Sequence, residues 1–307
     1  MREMNFVKDP PPEDVKRNLQ GIEKAAEWES RRLEKNNKKF NAVDIREYGP
    51  EAVAIFDKSL ELVIQFLERI GINIRDLGVE SFNVFVTKTE KGNSFYNSAW
   101  DKIVINESTL KDEQSAVRTI IHEIYHNLSA HALHLTQFQQ EDKKYVRKIK
   151  SGFSSEYSLI EKKVRHKSID NKELFNALNE GVTDWLTIVT IPKEQLTPSG
   201  YQGEVAIVHS LLKNVYGESD SEVKIFLESY FTGKMMHLRN IEKFYGKNSL
   251  KLLAHLNTKE YYEESYGHNE EYLEHILQWK SKVVEFFTTD DVSKREDLRE
   301  KLKIDEL

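Results

Sequence analysis

The pentapeptide His122-Glu123-Ile124-Tyr125-His126 constrains the fold of this chain more than any other segment. On an α-helix, residues four apart lie on the same face, so the two imidazoles can point the same way. Two neutral imidazoles at that separation can bind one Zn²⁺ ion together. Glu123 lies one step round the helix, where its carboxylate can hold a water molecule at the ion rather than the ion itself. A helix with a metal ion against it is therefore expected here.

The lack of cysteine among the 307 residues limits the ligands available to such an ion. It excludes disulfides, thiol catalysis and cysteine-ligated zinc, which leaves histidine and carboxylate. A net charge of −6, with 39% hydrophobic and 31% charged residues, is typical of a soluble protein and gives no reason to expect nucleic acid or a membrane as a partner. The first residues lack an apolar signal segment, so a cytoplasmic location is expected, with signal-independent export as the open alternative. Nothing in the sequence indicates the oligomeric state.

The hydrophobic pattern predicts an α+β chain that is mostly helical. Alternation over Phe82–Val86 and β-branched residues at Lys102–Ile105 predict a small antiparallel sheet just before the motif. The motif helix is expected to run from an N-cap at Ser108 to about Leu135. Four segments follow from this pattern: a helical N-terminal segment (1–75), the sheet with the motif helix (76–137), a charged insertion (138–169) and a helical subdomain (170–307).

Five further stretches can be interpreted from their charge or hydrophobic pattern. Lysine and arginine are frequent in Gln139–Lys167, which favours an exposed, mobile insertion, with a basic rim that attracts acidic substrate as the alternative. Charged Val15–Phe40 and more apolar Ala52–Ile70 predict two N-terminal helices. In the C-terminal third, Ser221–Tyr245 and Ser249–Leu256 read as amphipathic helices, and four residues are predicted in the core: Ile225, Phe226, Tyr230 and Phe231.

A catalytic zinc site needs a third protein ligand, and Asn179-Glu180-Gly181-Val182-Thr183-Asp184 offers candidates. Glu180 and Asp184 are four apart, so one carboxylate could bind the ion while the other accepts the free N–H of a ligating imidazole. Their helix is expected to begin with a capping box formed by Asp170 and Glu173 and to end before Pro192. Gly181 inside that helix indicates a close approach of another helix or a requirement of the site.

Together, His122-Glu123-x-x-His126 and Asn179-Glu180-x-x-x-Asp184 resemble the gluzincin class of zinc metallopeptidases, the thermolysin-like enzymes. The resemblance covers about residues 80–190 and implies a zincin-like sheet and active-site helix. It implies His122, His126 and Glu180 as zinc ligands, Glu123 as the general base and Asp184 as the partner of a ligating imidazole. The 53 residues between His126 and Glu180 exceed the spacing typical of that class.

Other assignments remain open at this point. His134 or His166 could supply a third nitrogen, although neither has a supporting carboxylate pattern. Tyr201 is the first candidate for the group that stabilises the developing oxyanion, followed by His237 and Tyr96. The segment that begins Asn93-Ser94-Phe95-Tyr96 is similar to the substrate-binding edge of thermolysin-like enzymes, which implies Asn93, Ser94 and Tyr96 as contacts for an extended peptide.

The sequence is therefore compatible with two functions. The first is zinc-dependent hydrolysis of peptide bonds in a peptide or protein substrate, with Glu123 as the general base acting on a water molecule. The second is a catalytically silent protein that keeps the zincin fold for binding or regulation. The intact Glu123 favours the first, because a scaffold alone needs no general base.

Overall fold

The computed structural model of the protein describes residues 42–79, 81–88, 94–97, 102–130, 135–140, 143–159, 172–193, 200–217, 219–256 and 270–306. The predicted helix at Val15–Phe40 lies outside these ranges, as do Asn93, His134 and His166. The described α-helices are Ile45–Tyr48 (α1), Pro50–Arg69 (α2), Glu113–Ser129 (α3), Asn176–Thr190 (α4), Gln202–Leu211 (α5), Asp220–Thr232 (α6), Arg239–Tyr245 (α7), Ser249–His255 (α8), Glu270–Thr288 (α9) and Val292–Lys301 (α10). A mostly helical α+β chain is thereby confirmed.

A four-stranded sheet precedes the motif helix, in the order β1-β2-β4-β3. Its strands are Val43–Asp44 (β1), Val84–Thr87 (β2), Phe95–Asn97 (β3) and Lys102–Asn106 (β4). The sheet is mixed rather than antiparallel, because β2 and β4 run parallel while β1 and β3 are each antiparallel to their neighbour. The antiparallel prediction failed because β3 enters at the edge of the sheet, which leaves β2 and β4 as direct neighbours.

A second four-stranded sheet occupies much of the stretch predicted to be a mobile insertion. Its strands pair antiparallel in chain order: Leu135–Gln140 (β5), Lys143–Ser151 (β6), Ser154–Leu159 (β7) and Lys172–Leu174 (β8). The sequence predicted no strands for these residues, because charged residues are frequent there, but charge is compatible with a strand that has one solvated face. The division of the chain that makes 138–169 an insertion stays a prediction.

The motif helix α3 begins later and ends earlier than predicted. Ser108 precedes a 3₁₀ turn at Thr109–Lys111, and the N-cap of α3 is Asp112, whose carboxylate accepts a hydrogen bond from the Ser115 N–H at 2.9 Å. The helix ends at Ser129, and Leu135 already belongs to β5. Its buried face includes Ile120, Ile121 and Ile124, so the helix that carries the motif is packed into the core.

Helix α4, which carries Glu180 and Asp184, also differs at its start. Its N-cap is Phe175 in the left-handed region at φ 63°, and Glu173 lies in strand β8, so the predicted capping box is wrong. The end is as predicted: α4 stops at Thr190, two residues before Pro192. Most of α4 is buried, which fixes Glu180 and Asp184 on a rigid element.

The C-terminal helices pack around the same core. The predicted helix Ser221–Tyr245 is interrupted after Thr232, where Gly233 adopts a left-handed conformation at φ 63° that suits a residue without a side chain. Phe226, Tyr230 and Phe231 are buried as predicted, but Ile225 is 47% exposed because it lies on the outer face of α6. Within the part of the chain that the structure describes, none of the helices combines the length and apolar character needed to cross a lipid bilayer.

Candidate metal centre

Three side chains from α3 and α4 meet at one point. The Nε2 atoms of His122 and His126 are 3.0 Å apart, and Glu180 Oε2 lies 3.5 Å from the first and 3.3 Å from the second. The three side chains are only 13–16% exposed. The structure thus brings together the three residues that the sequence suggested as ligands, and in the described residues they form the one such group of histidines and acids.

The size of this triangle fits a tetrahedral ion. Ligand atoms about 2.0–2.1 Å from a tetrahedral zinc are separated from one another by about 3.3–3.4 Å. The observed separations of 3.0, 3.3 and 3.5 Å bracket that value. The donor set of two imidazoles and one carboxylate is also one that zinc uses in catalytic sites, with a fourth position left for water or substrate. The geometry shows a group that can hold a metal ion, and the identity of that ion is proposed below.

The electrostatics of these three side chains are those of a tightly paired site. Burial acts to lower the pKa of His122, but its contacts with the Asp184 and Glu180 carboxylates outweigh burial and raise that pKa to about 10. Burial acts to raise the pKa of Glu180, but the charge on His126 and the contacts with both imidazoles hold it well below its usual range. The Glu180 carboxylate thus stays ionised, and the carboxylates favour the protonated form of His122.

Glu123 is placed beside the cluster and is not one of the three grouped side chains. Its side chain is buried, and burial raises the pKa of its carboxyl above the ordinary value, opposed by the charges on His122 and His126. The backbone N–H of Tyr96 donates a hydrogen bond to this carboxylate, which also acts to lower the pKa. Strand β3 therefore fixes the orientation of Glu123, and a role for Tyr96 through its main chain was not expected from the sequence.

Asp184 lies behind His122. Its Oδ1 atom is 3.7 Å from His122 Nδ1, the ring nitrogen opposite the one that faces Glu180. The same oxygen accepts a hydrogen bond from Arg118 Nη2 at 2.8 Å. This is the position expected for a carboxylate that orients a ligating imidazole, although a distance of 3.7 Å is longer than a direct hydrogen bond.

Tyr201, the first of the three candidates for an oxyanion-stabilising group, has its ring beside that of the candidate ligand His122. It precedes α5, and its ring is nearly parallel to that of His122, with 6.2 Å between centroids. Tyr96 approaches through its main chain, as described above. His237 lies in a 3₁₀ turn at Met235–Leu238, where its carbonyl accepts a hydrogen bond from the Tyr216 hydroxyl. The assignment of the role itself stays a prediction.

The remaining predicted substrate contact is Ser94. Its hydroxyl accepts a hydrogen bond from the Asn106 N–H at 3.0 Å and lies 3.2 Å from the Thr109 hydroxyl. These contacts attach the start of β3 to the end of β4, so Ser94 helps to place the strand. Its contact with substrate stays a prediction.

An open cavity of about 610 Å³ lies elsewhere, along the crevice between α4 and α5. Trp185, Val189 and Val205 are among its largely apolar lining residues. His122, His126 and Glu180 are not among them, so this cavity is separate from the candidate metal centre.

Two contributors to the site were missed from the sequence. Arg118 had a readable signal, because it lies four residues before His122 and therefore on the same helix face. The second is the turn between β6 and β7, where the Phe153 N–H donates to Asn179 Oδ1 at 3.1 Å and the Gly152 N–H donates to the Ser129 carbonyl at 3.2 Å. No local sequence pattern predicts these two hydrogen bonds, because they join residues distant in the chain.

Comparisons with known proteins found no protein-family model, no curated protein and no solved structure that matches this chain. Function is therefore inferred from the residues of the site and their geometry.

Proposed function

We propose that this protein is a zinc-dependent peptidase in which His122, His126 and Glu180 hold the ion and Glu123 is the general base. The observation that carries the proposal is the triangle of two imidazole nitrogens and one carboxylate oxygen, at separations that suit tetrahedral zinc. A second carboxylate at the adjacent helix position, oriented but outside that triangle, is the addition that a hydrolytic site requires.

The charges of the site also favour a divalent ion. Glu123, Glu180 and Asp184 contribute three negative charges when ionised, and Arg118 contributes one positive charge, which leaves two negative charges. Two positive charges on an ion balance them with both imidazoles neutral, the form in which histidine binds metal.

The chain's own groups divide the work of hydrolysis. Zinc, when bound, supplies Lewis-acid polarisation and lowers the pKa of water. The Glu123 carboxylate accepts the proton of the attacking water and delivers it to the leaving amine, and a pKa raised by burial brings it closer to neutral pH, where such transfer is efficient. The Tyr96 N–H holds that carboxylate in place. The Tyr201 hydroxyl is the proposed donor to the developing oxyanion, since its ring already lies against His122.

Strand β3 provides a path for an extended peptide. It is the edge of the first sheet as described, and its Tyr96 contacts Glu123 directly. A substrate strand added at this edge would run past the general base, and pairing of main chains would hold it with little dependence on side-chain identity.

The test is hydrolysis of a quenched peptide library by the wild type and by Glu123→Gln, with the zinc content of both proteins measured. Both are expected to bind one zinc ion, and the substitution should reduce cleavage by about 10²–10⁴-fold, the usual contribution of general acid–base catalysis. In parallel, Glu180→Ala should weaken zinc binding by more than about 100-fold, beyond the effect of losing an outer partner. Glu61→Ala, on the surface of α2, is the control.

A zinc-bound wild type that cleaves no member of the library would favour the alternative, a silent binding or regulatory protein. Unchanged zinc affinity in Glu180→Ala would remove Glu180 from the ligand set.

A further inference from the structure

Arg118 extends the row of metal-site residues on α3 by one helical turn. Arg118, His122 and His126 are spaced by four residues, so they follow one another along a single face of the helix. The Arg118 side chain is only 14% exposed, which is unusual for an arginine on a helix that reaches the surface. It therefore lies in the helix interface and not among the solvated charges.

The partners of this row lie in reverse order on α4. His126 faces Glu180, His122 faces both Glu180 and Asp184, and Arg118 faces Asp184. The two helices thus run in opposite directions at the site, with Glu180 facing the two histidines and Asp184 facing His122 and Arg118. Arg118 and Asp184 form the last pair, adjacent to the candidate ligands.

One oxygen atom of Asp184 faces both neighbours. Oδ1 accepts the Arg118 hydrogen bond at 2.8 Å, and the same atom is 3.7 Å from His122 Nδ1. The Asp184 side chain is 3% exposed, and a carboxylate so removed from water needs a fixed cationic partner to remain ionised. Arginine provides that charge at any accessible pH, in a planar group that fixes the direction of the carboxylate.

We propose that Arg118 is a positioning residue for the metal centre, which acts on the ligand His122 through Asp184. By holding Oδ1 beside Nδ1, it sets the imidazole plane so that Nε2 points at Glu180 and His126. This role rests on the proposed metal site and adds a residue to it. A purely structural ion pair between α3 and α4 would instead change stability and leave the affinity of the folded protein for zinc unaltered.

The experiment measures the zinc dissociation constant by chelator competition for the wild type, Arg118→Met, Arg118→Lys, Asp184→Asn and the double variant R118M/D184N. The visible spectrum of each Co²⁺-loaded protein reports the geometry of the ligand set. Arg118→Met should weaken zinc binding by about 10–100-fold, the range typical for loss of an outer partner of a ligating histidine. Arg118→Lys keeps a donor and a charge, so most of the affinity should return. In the Asp184→Asn background, adding Arg118→Met should cost less than about threefold, because the two residues act along one route.

Lys58→Met is the matched control. Lys58 pairs with Glu113 in the first turn of α3 at 2.6 Å, but both side chains are largely exposed. Breaking this pair should leave zinc affinity and the Co²⁺ spectrum as in the wild type.

Wild-type zinc affinity and an unaltered Co²⁺ spectrum in Arg118→Met would overturn the proposal, as would an equal loss with and without Asp184. If Arg118→Met does not fold, the comparison of Asp184→Asn with the double variant decides. Equal zinc affinities of these two proteins support the proposal, and a zinc affinity that is a further tenfold weaker in the double variant refutes it. A wild type that binds no zinc would instead defeat the proposed function, which separates the two failures.

Discussion

At the scale of single residues, the candidate centre depends on two pairs of side chains, and the members of each pair are four residues apart on one helix. His122 and His126 on α3, and Glu180 and Asp184 on α4, place their side chains on matching faces, and the facing pairs come within 3.3 to 3.7 Å. The Asp184 and Glu180 carboxylates favour the protonated form of His122. Because a metal ion binds the neutral imidazole, proton and metal binding at His122 must compete.

This competition predicts how zinc affinity depends on pH. Burial alone would lower the pKa of His122, but Asp184 and Glu180 raise it from 6.5 to about 10 in the metal-free protein. Proton binding there stabilises the native state fully below pH 6.5, and this stability is lost as the pH rises through about 10. Since zinc must displace the proton, its apparent affinity should strengthen by about tenfold for each pH unit between about 6.5 and 8.5.

Chelator competition at three pH values measures this slope, and calorimetry in buffers of different ionisation enthalpy counts the protons released. His255→Asn, at an exposed histidine of α8, is the control and should leave the slope unchanged. A dissociation constant independent of pH would contradict the expected competition.

At the scale of elements, the position of α4 is set by its contact with α5. A Cβ atom added at Gly181 would lie 2.8–2.9 Å from the Cβ, C and O atoms of Glu204, two of which are backbone. Glu204 is itself buried and paired with Lys280 of α9, so α5 cannot move away freely. The close approach suggested by Gly181 in the sequence is present, and it lies beside the candidate ligand Glu180.

Gly181→Ala should therefore force α4 and α5 apart. Overpacking of this kind costs about 1–3 kcal/mol, and the better helix propensity of alanine returns about 0.5–1 kcal/mol. We expect a net loss of about 0.5–2 kcal/mol in the free energy of unfolding, measured by urea denaturation in the presence of a chelator. Zinc binding should weaken as well, because Glu180 moves with the helix.

Gly200→Ala provides the comparison, since a Cβ atom there would meet none of the residues that the structure describes within 4 Å. Its stability should change by less than about 0.5 kcal/mol. Equal stability of the two variants would mean that the α4–α5 contact tolerates separation.

At the scale of the whole molecule, the second sheet is attached to the candidate metal centre through the turn between β6 and β7. Phe153 is fully buried and packs against Phe226 and Tyr230 of α6. The neighbouring Gly152 has φ 52°, and an added Cβ atom would collide with the side chains of Asn179 and Tyr230. The turn is thus inserted between the end of α3 and the start of α4, the two helices that carry the candidate ligands.

Phe153→Ala should destabilise the protein by about 3–5 kcal/mol, the usual cost of removing a buried phenylalanine side chain. Zinc affinity of the folded protein should also fall, since the Asn179 contact next to Glu180 loses its support. Urea denaturation and chelator competition measure the two effects. Phe244→Ala, at a phenylalanine that is 45% exposed, should cost far less. Similar losses in both variants would show that the turn is not part of the core.

The sequence by itself determined the parts of the site that depend on local geometry. A four-residue spacing has one meaning on a helix, so His122 with His126 and Glu180 with Asp184 could each be placed on one face, and Gly181 could be assigned to a close contact. The same spacing puts Arg118 on the face of His122, although its partner Asp184 could not be read from it. Only the tertiary structure decided which faces meet, that β2 and β4 run parallel, that the basic stretch forms a sheet, and that the Tyr96 main chain and Phe153 support the candidate centre. These depend on contacts between residues far apart in the chain, whose geometry is fixed by packing and by the pairing of buried charges, and no local periodicity encodes them.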